Sequence, residues 1–140
     1  MSFTFLEHTA DVAFKAWGAS MEEAFKNAAL ALTDVLTDHT RIKKRQDKKI
    51  EVEAEDKEEL LVAWLDELVF IFDTTNLVFS DFEIAIQIRG EKFRLTANAS
   101  GEKFDPAIHP SGTEVKGVSY HMLKIWKDQG KTYVRVILDV

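Results

Sequence analysis

Oxygen-bearing groups at the two ends of the chain form a candidate site for a hard metal ion. The closing run VRVILDV alternates as a β-strand does, so Val140 faces one side and Asp139 faces the other. If the Val140 side chain is anchored in a core, its terminal carboxylate lies within one residue of the Asp139 carboxylate. Like charges this close raise each other's pKa unless a cation intervenes. Hard oxygen ligands suit Ca²⁺ or Mg²⁺, and Ca²⁺ tolerates irregular geometry.

Asp11 is the candidate for a third ligand. It lies in the turn-like stretch EHTAD, between Ala10 and Val12, where packing gives no reason for a polar residue. A second interpretation stays open, in which Asp11 caps a turn and Asp139 is solvated, as acids usually are.

The segment from Gly101 to His121 is too irregular for an ordinary strand. It holds both prolines, three of the six glycines and two of the four histidines. Long loops in small domains tend to be functional or disordered, so Lys116 and His121 are candidate functional residues. His8, in EHTAD, is a third candidate. The alternative is a structural connection with Lys116 exposed, and a lone histidine is more often structural than a ligand or a base.

A basic run, RIKKRQDKK, stands out in a chain of net charge -6. One interpretation is a solvated connection between a helix and a strand. The other is a small docking patch for RNA or an RNA-bound partner, carried by Arg41, Lys43, Lys44 and Arg45. The acidic balance of the whole chain argues against non-specific wrapping of nucleic acid.

Several classes of function are excluded by what the sequence lacks. Without cysteine there are no disulfides, thiolate metal sites or cysteine nucleophiles. The motifs GxxxxGK[ST], GxGxxG, HExxH and GxSxG are missing. No apolar run is long enough for a membrane span, and the first residues do not resemble a secretory signal, so a cytoplasmic protein is expected.

Hydrophobic periodicity predicts the elements that must position these residues. Ser20 with Glu23 and Asp56 with Glu59 are helix start signals, and the apolar spacing predicts helices over 20–36 and 57–74. Most of the remainder alternates with period two, including hairpins that turn at Gly90-Glu91 and within KDQGK. We predict one α+β domain over residues 1–140, with two helices packed on a largely antiparallel sheet of about seven strands.

Three stretches together resemble the archease family. They are HTAD at residues 8–11, EVKGVSYH at 114–121 and the closing LDV. The resemblance spans the chain in the right order. Family members more often read VKAVTYH in the second stretch, so Gly117 and Ser119 are departures, whereas Lys116, Tyr120 and His121 agree.

The resemblance implies an accessory protein rather than an enzyme. Archeases activate the GTP-dependent RNA ligase of tRNA splicing, promoting its guanylylation and repeated turnover. The family's metal site maps onto Asp11, Asp139 and Val140, with Ca²⁺ or another hard divalent cation as the cofactor. The implied partners are that ligase and, through its complex, tRNA.

Two other functions stay open. A chaperone-like modulator of a tRNA cytosine methyltransferase is also associated with the family. A metal-dependent phosphohydrolase using Asp11, Asp139 and His121 is the enzymatic alternative, disfavoured because a second carboxylate pair and a nucleotide-binding loop are missing.

Overall fold

The computed structural model describes residues 2–7 and 11–140. Seven strands and two long helices account for most of this part of the chain, and a short 3₁₀ turn at His39–Arg41 follows the first helix. In chain order the elements are β1 (Phe3–Leu6), β2 (Val12–Gly18), α1 (Met21–Leu36), β3 (Gln46–Ala54), α2 (Lys57–Thr75), β4 (Leu77–Arg89), β5 (Lys92–Lys103), β6 (Gly117–Asp128) and β7 (Lys131–Asp139).

The strands form two separate antiparallel sheets. One has the order β1-β2-β7-β6 and the other the order β3-β5-β4. Helix α1 contacts β2 and β7 of the first sheet and β4 of the second, and α2 contacts β6 as well as β3 and β5. The helices therefore lie between the sheets, which confirms the predicted α+β class and strand number but divides the strands between two sheets.

Both helices begin at the predicted capping residues. The main-chain N–H of Glu23 donates to the Ser20 hydroxyl at 3.1 Å, and that of Glu59 donates to the Asp56 carboxylate at 2.8 Å. A helix packed against two sheets must bury more than one stripe, and α2 accordingly buries consecutive residues such as Leu60, Leu61 and Val62. The period-two pattern of the strands could not predict that the helices lie between two sheets.

The predicted irregular segment is shorter than expected. Residues 101–103 belong to β5 and residues 117–121 to β6, which leaves a connection over 104–116. This connection crosses the end of α1, where Gly112 and Thr113 donate their main-chain N–H groups to the carbonyls of Leu36 and Val35 at 3.0 and 2.8 Å. It therefore satisfies helix carbonyls that would otherwise lack partners.

Within the described residues, neither helix has the length and apolar character needed to cross a membrane.

Candidate functional site

Two of the predicted ligands lie at adjoining strand ends, with Asp139 at the end of β7 and Asp11 directly before the start of β2. Val12 of β2 pairs with Leu138 of β7, and because this is the last pair of the two strands, Asp11 and Asp139 are the residues just beyond it. On its other side, Asp139 pairs with Gly117, the first residue of β6. Asp139 thus lies at the end of a strand that has β2 on one side and β6 on the other.

Main-chain contacts hold the neighbouring residues in place. Lys116 donates its main-chain N–H to the carbonyl oxygen of Asp139 at 2.7 Å, and its side chain is exposed. Val140 packs partly against the hydrophobic core. The predicted anchoring of Val140 is therefore observed. Lys116, which is hydrogen-bonded to Asp139 through its main chain, presents its cationic side chain to solvent.

Asp66 of α2 is a further acid in this region that the sequence analysis missed. It accepts a hydrogen bond of 3.0 Å from the main-chain N–H of Val118, directly after Gly117. Burial raises the pKa of Asp66 and the charge of Asp139 raises it further, while the Val118 hydrogen bond opposes the rise. The available signal was an acid among the apolar residues of the second predicted helix.

The structure leaves space for a larger side chain at Gly117. A Cβ atom at this position would lie 3.6 Å from the nearer carboxylate oxygen of Asp66, an ordinary van der Waals distance. The site therefore has room for an alanine at this position.

Strand β6 bulges just beyond this point. Pairing with β7 stops after Ser119 and resumes at Lys124, and Met122 adopts a left-handed conformation with φ of 57°. The side chain of Arg135 donates to the Met122 carbonyl at 2.9 Å. The bulge leaves Tyr120, His121 and Met122 exposed.

Negative charge from α2 reaches this bulge. Partial desolvation raises the pKa of the exposed Tyr120, and the charges of Glu59, Asp56 and Asp66 raise it further. The predicted contact residue His121 is thus placed on an exposed strand edge near an acidic helix. His8, the other predicted histidine, lies outside the described residues.

The residues at the end of β7 fit a hard divalent cation by donor chemistry. Asp11 and Asp139 offer carboxylate oxygens just beyond the last residue pair of β2 and β7. Two side-chain carboxylates do not fill a coordination sphere of six or more oxygens, so Val140 or a partner must supply others.

A second group with metal-ligating atoms close together lies after α1. Within the described residues, Asp34, Asp38 and His39 place one such atom each within 4.8 Å of one another. Their hydrogen bonds explain the arrangement: Asp34 accepts from the main-chain N–H of His39 at 2.9 Å, and Asp38 accepts from the N–H of Thr40 at 3.0 Å. These contacts stabilise the 3₁₀ turn, and hydrogen bonds from Thr40 hold the pKa of Asp38 below its ordinary value.

Part of the basic run is engaged in ion pairs. The Lys44 ammonium lies 3.2 Å from Asp81, Arg45 Nε lies 2.9 Å from Glu102, and Arg41 Nε lies 4.0 Å from Asp38. All three cationic side chains are more than half exposed, and Lys43 is exposed as well. The basic run therefore forms ion pairs with residues of β4 and β5 and still presents positive charge to solvent. Both interpretations, a solvated connection and a docking patch, stay open.

A buried polar network anchors the 104–116 connection. The His109 side chain is completely buried, with Nε2 at 3.0 Å from Glu102 and Nδ1 accepting the main-chain N–H of Asp105 at 2.8 Å. Glu102 also accepts the N–H of Lys43 at 2.8 Å. The hydrogen bond from the Lys43 N–H is the largest cause that holds the pKa of Glu102 below its ordinary value, and the other hydrogen bonds lower it further. His109 is thus a structural, hydrogen-bonded histidine, as expected of an isolated one.

Comparison with known proteins gives one consistent answer. The Archease protein family (MTH1598/TM1083) matches residues 3–140. Protein archease of Methanothermobacter thermautotrophicus is 41% identical over 138 residues, covering 99% of this chain and 98% of that protein. Protein archease of Pyrococcus abyssi is 42% identical over 135 residues, covering 96% of this chain and 95% of that protein.

Solved structures agree with the sequence comparison. The solution structure of Methanobacterium thermoautotrophicum protein 1598 superposes with a TM-score of 0.88 at 40% identity and covers 99% of both chains. The crystal structure of a Thermotoga maritima archease, described as a possible chaperone, gives a TM-score of 0.62 at 23% identity, covering 96% of this chain and 94% of that one. The latter similarity concerns the fold alone.

Proposed function

The chain belongs to the archease family, and from this premise we propose that it activates the GTP-dependent RNA ligase of tRNA splicing. In this role it promotes guanylylation of the ligase and its repeated turnover. It acts as an accessory protein of the cytoplasm, with the ligase as its partner and tRNA reached through the ligase complex.

One observation carries the proposal. Asp11 and Asp139 lie just beyond the last residue pair of β2 and β7 at one end of a sheet, and Lys116 is hydrogen-bonded through its main chain to Asp139. Carboxylates and a cationic side chain held together on an exposed end suit insertion beside a phosphate-transfer centre.

We propose that Asp11, Asp139 and Val140 hold Ca²⁺ or another hard divalent cation. Such an ion supplies positive charge that balances phosphate oxygens during nucleotidyl transfer. The residues of this chain contribute position: Lys116 offers its ammonium group to a phosphate or to an acidic partner residue. His121 presents an imidazole from the neighbouring bulge, which is a natural contact surface for the ligase.

The test is a reconstituted reaction. The ligase is incubated with GTP, and its covalent guanylylation is followed with and without this protein. Multiple-turnover ligation of RNA carrying a 2′,3′-cyclic phosphate and a 5′-hydroxyl end is measured in parallel. We expect faster guanylylation and sustained turnover only when the protein is present. Incubation of the protein alone with GTP should release no product, whereas release would support the phosphohydrolase function.

The chaperone-like function has a separate supporting observation. Phe70 is 59% exposed and Ile88 is 69% exposed, so both apolar side chains are accessible to a partially folded client. If the protein modulates a tRNA cytosine methyltransferase, it should suppress thermal aggregation of that enzyme and alter its methylation specificity. A Phe70→Ser/Ile88→Ser variant should lose this effect and keep ligase activation.

A further inference from the structure

Two rows of side chains cross the outer face of the β1-β2-β7-β6 sheet. Trp17, Tyr133 and Trp126 occupy paired positions on β2, β7 and β6, and we call them the aromatic row. Two residues further along the strands, Lys15, Arg135 and Lys124 are likewise paired, and we call them the basic row. The intervening residues of β2 and β7, Ala16 and Val134, are completely buried on the helix side.

The rings of the aromatic row contact one another in sequence, one pair stacked and the other tilted. The Trp126 and Tyr133 ring centroids are 5.4 Å apart with an interplanar angle of 12°, and those of Trp17 and Tyr133 are 6.2 Å apart at 33°. All three side chains remain partly exposed. Cross-strand aromatic contacts stabilise the sheet, and they also offer preformed π-surface to a ligand.

The basic row lies against these rings. Lys15 Nζ is 5.8 Å from the centroids of both Trp17 and Tyr133, and Lys124 Nζ is 5.2 Å from that of Trp126. Arg135 uses its Nε–H to bind the Met122 carbonyl. Cation–π contacts orient the two ammonium groups but leave their positive charge uncompensated.

None of the ion pairs formed among residues 2–7 and 12–140 involves a member of the basic row. Like charges at directly opposing strand positions destabilise a sheet. Three adjacent cations with no acid partner among residues 2–7 and 12–140 are unexpected in a chain with 24 acidic and 18 basic residues. An anionic ligand would remove this repulsion. A chain of phosphates could do so with one phosphate beside each cation.

We propose that this face binds single-stranded RNA, with bases against the aromatic row and phosphates on the basic row. Single strands expose base faces for stacking, whereas a duplex hides them. The choice of RNA over DNA rests on the proposed function. Asp139 lies four residues beyond Arg135 on β7, about 13 Å at the usual rise per residue. RNA held here therefore lies close to the proposed functional site.

The test uses the full chain and a 12-nucleotide oligouridylate without any ligase. Trp17 and Trp126 report binding by fluorescence quenching, while the completely buried Trp64 provides a constant background. We expect saturable quenching and a log–log salt slope of about -2, from about 0.7 per neutralised phosphate on a single strand. An RNA duplex of equal length should bind about tenfold more weakly, because it offers no free base face.

A matched pair of variants assigns the surface. Lys15→Gln/Lys124→Gln keeps the Arg135 contact and should weaken RNA binding about tenfold and flatten the salt slope by about 1.4. Arg41→Gln/Lys43→Gln removes the same charge from the basic run and should change affinity less than about twofold. As a second probe, Trp126→Leu should weaken binding at unchanged salt slope, because it removes stacking surface and no charge.

Other outcomes overturn the proposal. Absent quenching, equal binding of duplex, or weakening only by the Arg41/Lys43 variant would each show that this face is not a single-strand RNA surface. Lost ligase activation without any RNA binding would indicate a protein-binding face instead. Because the titration contains no ligase, RNA binding can succeed while the proposed function fails, or the reverse.

Discussion

Lys116 donates its main-chain N–H to the carbonyl oxygen of Asp139 across 2.7 Å. This bond connects the end of the 104–116 segment to the last residue of β7, and it leaves the Lys116 side chain exposed. The backbone contact is structural, so the side chain is available for function. Changes to the side chain should therefore separate folding from activity.

Replacing Lys116 with glutamine tests this separation. Because the hydrogen bond to Asp139 uses the main chain, the free energy of unfolding of the variant should differ from that of the parent chain by less than about 0.5 kcal/mol. Ligase activation should fall, since the ammonium group is gone. Urea unfolding and the guanylylation assay measure the two effects. Normal activation by Lys116→Gln would remove this side chain from the proposed site.

Asp66→Asn should stabilise the protein at neutral pH. The folded-state pKa of Asp66 is raised, chiefly by burial, so the folded state binds more protons than the unfolded state just above the ordinary pKa. Stability contributed by this residue therefore decreases as pH rises through that window. Asparagine removes the charge and can still accept the Val118 N–H.

Denaturant unfolding between about pH 4 and about pH 7 measures the effect. The difference between Asp66→Asn and the parent chain should grow in favour of the variant as pH rises. A variant that is less stable at every pH would show that the ionised carboxylate is needed to hold the start of β6.

Glu102→Gln should destabilise the fold by about 1–3 kcal/mol at neutral pH, because an amide cannot accept every hydrogen bond that Glu102 receives. The folded-state pKa of Glu102 is lowered, so its stabilisation is present above the ordinary glutamate pKa and is lost as pH falls through the folded value. The stability difference should therefore shrink in acid. Glu91→Gln, at an exposed turn, is the control; equal effects of the two substitutions would contradict the buried network.

Two glycine substitutions should have opposite outcomes. A Cβ atom at Gly112 would clash with the Val35 carbonyl oxygen, so Gly112→Ala forces the 104–116 segment away from α1. We expect a loss of about 1–3 kcal/mol. Gly117→Ala should be tolerated within about 0.5 kcal/mol, because its Cβ would lie 3.6 Å from Asp66. Thermal unfolding compares them, and equal losses would contradict the close approach at Gly112.

Local signals in the sequence predicted the elements well. The Ser20 and Asp56 caps and the turn at Gly90-Glu91 depend on neighbouring residues, which a sequence displays directly. The division into two sheets depends on which strands pair across the whole chain. The alternating pattern is the same whether the strands form one sheet or two, so periodicity could not predict the division.

The same distinction applies to the site. Asp11 and Asp139 were predicted from their unusual positions near strand ends. Asp66 was missed because a helical acid becomes part of the site only when α2 lies beside β6. The aromatic and basic rows were missed for a similar reason, since the pairing of β2, β7 and β6 joins residues that are distant in sequence.

The most direct test of the central claim compares Asp11→Asn and Asp139→Asn with Asp128→Asn, an exposed acid at the other end of β6. Each variant is assayed for Ca²⁺ binding by calorimetry and for ligase guanylylation and multiple turnover. We predict that Asp11→Asn and Asp139→Asn fold normally, bind Ca²⁺ at least about tenfold more weakly and fail to activate the ligase, because each loses one carboxylate of the site. Asp128→Asn should match the parent chain. Full activation by both Asp11→Asn and Asp139→Asn would contradict the proposed function of this site.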